Sequence, residues 1–181
     1  MVLQFKIQIK YITDPPVWRK VTVPGNFSLH RFHQVIQAAF GWEDYHLYQF
    51  SEKGYRSASL YSLPSDDLWD DVLDSRKIKL SDIFHEPGQK YTYIYDFGDD
   101  WIHSIKLEDI IPEKAIRANL LKGKGKCPPE DCGGPWGYMH LREVLSDPAN
   151  AEYADMKEFI GLSKDEVWDE HAFDIALHQS E

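Results

Sequence analysis

The chain has 181 residues, and its 20 Lys and Arg against 30 Asp and Glu give a formal net charge of −10 at pH 7. With 43% hydrophobic and 14% aromatic residues, it has too much apolar mass for a disordered chain. No stretch approaches the ~18 apolar residues of a membrane span, and charges interrupt the apolar pattern of residues 1–12, which is atypical of a signal peptide. We therefore expect one cytoplasmic domain over residues 1–181, with no membrane partner.

A strand–strand–helix unit is predicted at the start of the chain. Apolar and polar residues alternate on both sides of a Pro-Pro break, which predicts an antiparallel hairpin over residues 2–23. Ser28 is a suitable N-cap for the helical apolar spacing that follows, and Gly41 is a suitable stop. His30 and His33 are predicted to be surface residues on the polar face of this helix.

The middle of the chain predicts a third strand and a second hairpin. The strand covers residues 46–51 and begins at His46, and an acid-rich insertion at 62–76 is predicted to be a short surface helix or a mobile loop. A short helical turn at 81–84 precedes the segment KYTYIYDFGDDWIHSIKLE. A two-residue turn at its Gly-Asp pair would place Asp96 opposite Trp101, whereas a three-residue turn would pair Tyr95 with His103, and the sequence leaves both registers open.

Residues 122–138 are dominated by Gly and Pro and are predicted to be a stiff loop. Two amphipathic helices follow, one ending at Asp147 and the other at Gly161. The fold class expected from this order is α+β, a mainly antiparallel sheet opening with a strand–strand–helix unit, with helices mostly on one side and at the C-terminus.

A polar cluster lies at the tip of the second hairpin and contains Asp96, Asp99, Asp100 and His103. Carboxylates and an imidazole together can bind a divalent cation or act as general acid and base. The alternative is that this is a solvated turn, because Asp is common in turns. We expect Trp101 to stand at an exposed edge and to frame a pocket.

Two cysteines, Cys127 and Cys132, stand in a C-x4-C spacing. A structural zinc site would need His140 or His103 to complete it, and a thiol nucleophile would need a nearby base. Simple packing is the commoner role for such cysteines. For His46, a structural hydrogen bond competes with a functional role.

The hairpin tip and the 127–138 loop are predicted to meet in one composite site. Gly133 and Gly134 would allow close backbone approach, whereas Glu130 and Asp131 could instead cap the following helix. The complete set of candidate residues is His46, Asp96, Asp99, Asp100, Trp101, His103, Cys127, Glu130, Asp131, Gly133 and Gly134.

Four segments together resemble one known family. They read PPVWRKVTVP, LHRFHQVIQAAFGWEDYHLYQF, YIYDFGDDWIHSIKLE and CPPEDCGGPWGY. In these segments the chain is similar to the plasmid pRiA4b ORF-3-like family, whose members are also called passenger proteins of insertion elements. The resemblance implies an intracellular single-domain α+β protein of plasmids, mobile elements and chromosomes, and it implies no biochemical activity.

Two functions of different classes remain open. The first is a non-catalytic binding module for a protein or small ligand, with no cofactor predicted. The second is a metal-dependent hydrolase or nuclease, in which a divalent metal would be held by Asp96, Asp99, Asp100, His103 and Glu130. Direct binding to duplex DNA is not expected, because no basic recognition helix is present.

Overall fold

The computed structural model describes residues 1–65 and 71–175. Within them the strands are β1 (Val2–Ile9), β2 (Trp18–Pro24), β3 (Tyr48–Ser51), β4 (Leu60–Ser62), β5 (Val72–Asp74), β6 (Lys90–Tyr95), β7 (Trp101–Ile111) and β8 (Asn119–Lys124). The helices are α1 (Leu29–Phe40), α2 (Leu80–Ile83), α3 (Gly134–Ser146) and α4 (Tyr153–Phe159). The strands form one sheet in the order β5-β4-β3-β6-β7-β1-β2-β8, in which only β4 and β5 pair in parallel. The α+β prediction is confirmed.

The opening unit forms as its pattern predicts. β1 and β2 pair antiparallel, and α1 follows directly. The Ser28 hydroxyl accepts a hydrogen bond from the Arg31 amide at 3.2 Å, which satisfies one free donor of the first turn. Gly41 ends the helix at φ 92°, in the left-handed region that a residue without Cβ adopts readily.

The central strands bury one face and leave the other polar. Leu3, Phe5 and Ile7 of β1 are fully buried, and the Phe5 ring packs on Phe32 of α1 at 4.8 Å between centroids. On the opposite face, Lys20 of β2 forms an ion pair of 2.7 Å with Glu108 of β7. The period-two alternation of the strands therefore directs α1 to the apolar face.

The register of the second hairpin differs from both predicted alternatives. Tyr95 pairs with Trp101, and residues 96–100 form the connection. The Asp96 carboxylate accepts hydrogen bonds from the amides of Gly98 at 3.0 Å and Asp99 at 3.3 Å. Because this side chain closes the turn, the Gly-Asp pair does not act as a two-residue turn, and both predicted registers are wrong.

Two predicted loops contain strands. β5 lies within the 62–76 insertion. Residues 66–70 of this insertion lie outside the described residues. β8 reaches Lys124, so residues 122–124 of the predicted loop pair with β2. A three-residue strand and a Gly-containing edge strand both give weak local patterns. The predicted short helical turn and the two C-terminal helices are confirmed as α2, α3 and α4.

Candidate functional site

Three segments that are distant in the chain meet beside the end of α1: the turn at 42–46, the hairpin tip at 96–100 and the loop at 127–134. The indole N–H of Trp42 donates to the Pro128 carbonyl at 3.0 Å. The Glu43 amide donates to the Glu130 carboxylate at 3.0 Å. These bonds fix the turn after α1 to the Pro-Pro loop.

Tyr95, at the end of β6, connects the same segments. Its hydroxyl accepts a hydrogen bond from the Tyr45 amide at 3.0 Å and donates to Glu130 at 3.1 Å. Burial raises the pKa of Glu130 despite these donors. Burial likewise raises the pKa of Tyr95, so its hydroxyl stays protonated and can act as the donor.

The hairpin tip and the 127–134 loop are in direct contact. The Gly133 amide donates to the Asp99 carboxylate at 3.1 Å. Gly134 lies so close to the tip that a Cβ there would be 2.2 Å from the Asp99 carbonyl oxygen, and its φ is +69°. The expectation of close backbone approach agrees with the packing at Gly134, whereas a Cβ on Gly133 would meet Gly137 at an ordinary 3.5 Å.

Among the described residues, His46, Asp96 and Asp131 form a group that could hold a metal ion. His46 precedes β3, Asp96 follows β6, and Asp131 lies in the loop before α3. His46 Nε2 is 3.0 Å from Asp131 Oδ1 and 3.6 Å from Asp96 Oδ2. Asp96 and Asp131 have φ of 56° and 55°, in a region that Asp tolerates better than most residues.

Trp101 and His103 do not reach this surface, which corrects the expectation that Trp101 stands at an exposed edge. Both are fully buried, because the alternation along β7 directs residues 101, 103 and 105 to the same apolar face. His103 Nδ1 donates to the Trp101 carbonyl at 2.7 Å, and burial lowers the pKa of His103 to about 3. Asp100 of the same cluster instead accepts a hydrogen bond from the Tyr55 hydroxyl.

The cysteines are free thiols in unreactive surroundings. Burial raises the pKa of Cys127 above its usual range and that of Cys132 to about 12. Because the thiolate is the form that attacks electrophiles and binds zinc, these surroundings favour a packing role for both residues.

The prediction that His33 is a surface residue is wrong. The ring is fully buried and stacks on Tyr48 at 3.7 Å between centroids. Its Nδ1 is 2.8 Å from the Tyr93 hydroxyl and its Nε2 is 2.7 Å from Asp44. Burial lowers its pKa to about 4, although Asp44 acts in the opposite direction. The helical spacing from Leu29 places His33 on the apolar side of α1, which is a sequence signal in favour of burial.

A cavity of about 810 Å³ opens beside Trp42. Arg19, also missed from the sequence, lies in its wall, where its guanidinium packs between the rings of Phe40 and Phe173 at 5.0 and 4.3 Å. The guanidinium donates to the carbonyls of Ala39, Lys124 and Gly125, and burial lowers its pKa to about 10. The alternation of Arg19 with Val21 and Val23 indicates an inward-facing side chain.

Sequence comparison places this arrangement in a family. The model of the family described as plasmid pRiA4b ORF-3-like protein matches residues 1–177. The chain belongs to the plasmid pRiA4b ORF-3-like family. It is 40% identical over 164 residues to the uncharacterised protein y4hQ of Sinorhizobium fredii, a match that covers 90% of this chain and 82% of the relative.

A solved structure provides a second comparison. The fold is similar to the crystal structure of the protein of unknown function MM3350 from Methanosarcina mazei Go1, with a TM-score of 0.82. The two are 35% identical, and the match covers 97% of this chain and 96% of that chain. Within residues 1–65 and 71–175, no helix has the length and apolar character needed to cross a membrane.

Proposed function

We propose that the protein is a non-catalytic ligand-binding module and that a small molecule occupies the cavity beside Trp42. The cavity carries this proposal, because its volume of about 810 Å³ lies within the roughly 300–1,000 Å³ that is typical of small-molecule sites.

The walls of the cavity indicate the chemistry of the ligand. Its aromatic side chains are Phe40, Trp42, Tyr45, Phe159, Trp168 and Phe173. Arg19 and Lys126 provide positive charge, and the Lys126 ammonium lies 4.3 Å from the centroid of the Trp168 ring. Carboxylates also line the cavity: Glu43, Glu130 and Asp174. The aromatic walls match a flat apolar molecule whose rings can stack on them, and an anionic group on that molecule would pair with Arg19 or Lys126.

The protonation states and hydrogen bonds of the candidate reactive side chains favour binding over catalysis. Burial keeps Cys127 protonated and His103 neutral, so neither has the charge of an activated thiolate–imidazolium pair. Of the ligand set expected for a hydrolase, His103 is fully buried, Asp100 accepts from Tyr55 and Glu130 accepts from Tyr95. These contacts support a module whose cavity selects a ligand.

Our first prediction tests the cavity with 1-anilinonaphthalene-8-sulfonate, a flat aromatic anion with environment-sensitive fluorescence. We expect saturable binding of one molecule per chain to the folded protein. Ala172 is an exposed residue of the cavity wall, so Ala172→Trp should fill the opening and weaken binding at least about tenfold, or roughly 1.4 kcal/mol.

A matched control is Ala58→Trp, since Ala58 is also exposed but lines a separate groove of about 290 Å³. This variant should bind the probe like the unmodified protein. Equal affinity in both tryptophan variants would contradict the proposal, as would loss of binding in both.

A further inference from the structure

His46, Asp96 and Asp131 direct their ligand atoms toward one point from three separate segments. The distances from His46 Nε2 are 3.0 Å to Asp131 Oδ1 and 3.6 Å to Asp96 Oδ2, and all three ligand atoms lie within 4.8 Å of one another. Metal–ligand bonds of 2.0–2.2 Å separate neighbouring ligand atoms of one ion by roughly 3.0–3.5 Å. The observed spacing therefore suits one ion after a small closing movement.

One ring nitrogen of His46 is buried without a hydrogen-bond partner among the described residues. His46 Nε2 has no accessible surface and no hydrogen-bond partner among the described residues, although Asp131 Oδ1 is only 3.0 Å away. The two atoms are close enough for a hydrogen bond, but the angles between the imidazole nitrogen and the carboxylate oxygen are not those of one. Leaving a buried polar atom unpaired costs free energy, and an ion bound by both atoms would remove that cost.

Asp96 provides an independent observation. Its side chain is only 10% exposed, and its Oδ1 is held by the amides of Gly98 and Asp99. This arrangement leaves Oδ2 on the side of His46. Buried carboxylates require a compensating charge, and a cation at this point would supply it.

An ordinary pair in the same chain shows the contrast. His140 Nε2 lies 3.2 Å from Glu152 and makes a regular hydrogen bond with it, and both side chains are more than half exposed. That pair involves two residues and leaves no buried ligand atom unpaired. His140 is therefore a suitable internal control for His46.

The donor set identifies the class of ion. Two carboxylates with a neutral imidazole carry a charge of −2, which a divalent cation offsets. Imidazole favours zinc, iron, nickel or copper, whereas carboxylates suit manganese, calcium and magnesium. One imidazole with two carboxylates therefore favours Zn²⁺ or Mn²⁺ over Mg²⁺ and Ca²⁺.

We propose that His46, Asp96 and Asp131 bind one divalent first-row transition-metal ion. Three protein ligands leave at least one coordination position for water or another molecule. The ion would lie beside the cavity, because Tyr45 and Glu130, the chain neighbours of His46 and Asp131, line it. This inference goes beyond the proposed function, and each of the two can fail separately.

Our second prediction is tested by adding Mn²⁺ to chelator-treated protein and following free Mn²⁺ by electron paramagnetic resonance. We expect one Mn²⁺ per chain, displaced by Zn²⁺ but not by an equal concentration of Mg²⁺. His46→Gln and Asp131→Asn should each weaken Mn²⁺ binding at least about tenfold, because even residues that only support a metal ligand contribute that much.

The variants separate a metal site from a folding effect. The Asp131 side chain is 65% exposed, so Asp131→Asn should leave the urea unfolding transition unchanged. His140→Gln should bind Mn²⁺ like the unmodified protein, and Ala172→Trp should retain Mn²⁺ while losing the aromatic probe. The proposal is overturned if the unmodified chain does not retain Mn²⁺, or if His46→Gln and Asp131→Asn bind it as tightly as His140→Gln does.

Discussion

At the scale of single residues, the Tyr93 hydroxyl is the centre of a polar network inside the core. It donates to His33 Nδ1 at 2.8 Å and accepts from Gln37 Nε2 at 3.0 Å. His33 in turn donates through Nε2 to Asp44 at 2.7 Å. These bonds satisfy the polar atoms that α1 and β6 bury together, which is the condition for keeping them in an apolar core.

Our third prediction is that Tyr93→Phe lowers the free energy of unfolding by about 1–3 kcal/mol, because it leaves buried groups of His33 and Gln37 unpaired. Urea denaturation followed by circular dichroism measures the change. Tyr11→Phe removes the same atom from a residue that is 66% exposed, and it should change stability by less than about 0.5 kcal/mol. Similar losses in the two variants would exclude a special role for the network.

The sequence predicts which residues of β1 are buried and where α1 begins and ends, but it does not predict the burial of every polar residue. The alternation of β1 predicts its buried face, and Ser28 and Gly41 predict both ends of α1. The burial of His33 depends on packing against Tyr48 and Tyr93, residues that only the folded sheet brings near. A polar residue on an apolar helix side can be interpreted either way until its partners are known.

At the scale of elements, the start of α3 is fixed against the second hairpin through backbone contact. A Cβ on Gly134 would lie 2.2 Å from the Asp99 carbonyl oxygen. Gly161, after α4, has a similar φ of +70°, but apart from its chain neighbours no described residue has an atom within 4 Å of such a Cβ. A substitution at either glycine would therefore have the cost of a left-handed conformation, and only a substitution at Gly134 would also overlap with Asp99.

Our fourth prediction compares Gly134→Ala with Gly161→Ala. The left-handed conformation costs each alanine about 1–2 kcal/mol. Gly134→Ala should lose a further ~1–3 kcal/mol, because the overlap with Asp99 forces the backbone to shift. Thermal and urea unfolding of both variants measure the difference, and equal destabilisation would show that the contact between α3 and the hairpin tip is not restrictive.

The connections between elements show where sequence reasoning stops. The strands of the second hairpin follow from alternation, but their register depends on the Asp96 side chain accepting two amides. That local bond selects a longer turn over the one favoured by the Gly-Asp pair. A similar limit applies to β8, because its pairing with β2 joins residues about 100 positions apart.

At the scale of the whole molecule, the candidate site exists only through long-range contacts. The bonds from Trp42 to Pro128 and from Gly133 to Asp99 join segments separated by 86 and 34 residues. Sequence reasoning included His46, Asp96 and Asp131 in one candidate set of eleven residues, but it did not single out these three. It placed His103 in the site instead, although the alternation along β7 directs His103 to the same buried face as Ile105.

The core also makes the stability of the whole molecule sensitive to pH. Burial lowers the pKa of His33 to about 4 and that of His103 to about 3, whereas an unfolded histidine has a pKa near 6.5. As the pH falls from about 6.5 toward 4, the unfolded chain takes up protons at both positions and the folded protein does not. The free energy of unfolding therefore decreases over this range, by up to about 2.7 kcal/mol per pH unit for the two histidines together.

Our fifth prediction is that His103→Phe reduces this dependence, because it removes one of the two groups. Urea unfolding at several pH values between 5 and 6.5 should give a slope that is shallower by up to about 1.4 kcal/mol per pH unit. The comparison uses slopes, so a lower absolute stability from the lost hydrogen bond to Trp101 does not affect it. His140→Gln is the matched control, because His140 is more than half exposed and its removal should change the slope much less. If the two variants show the same slope, burial of His103 is not a source of the acid sensitivity.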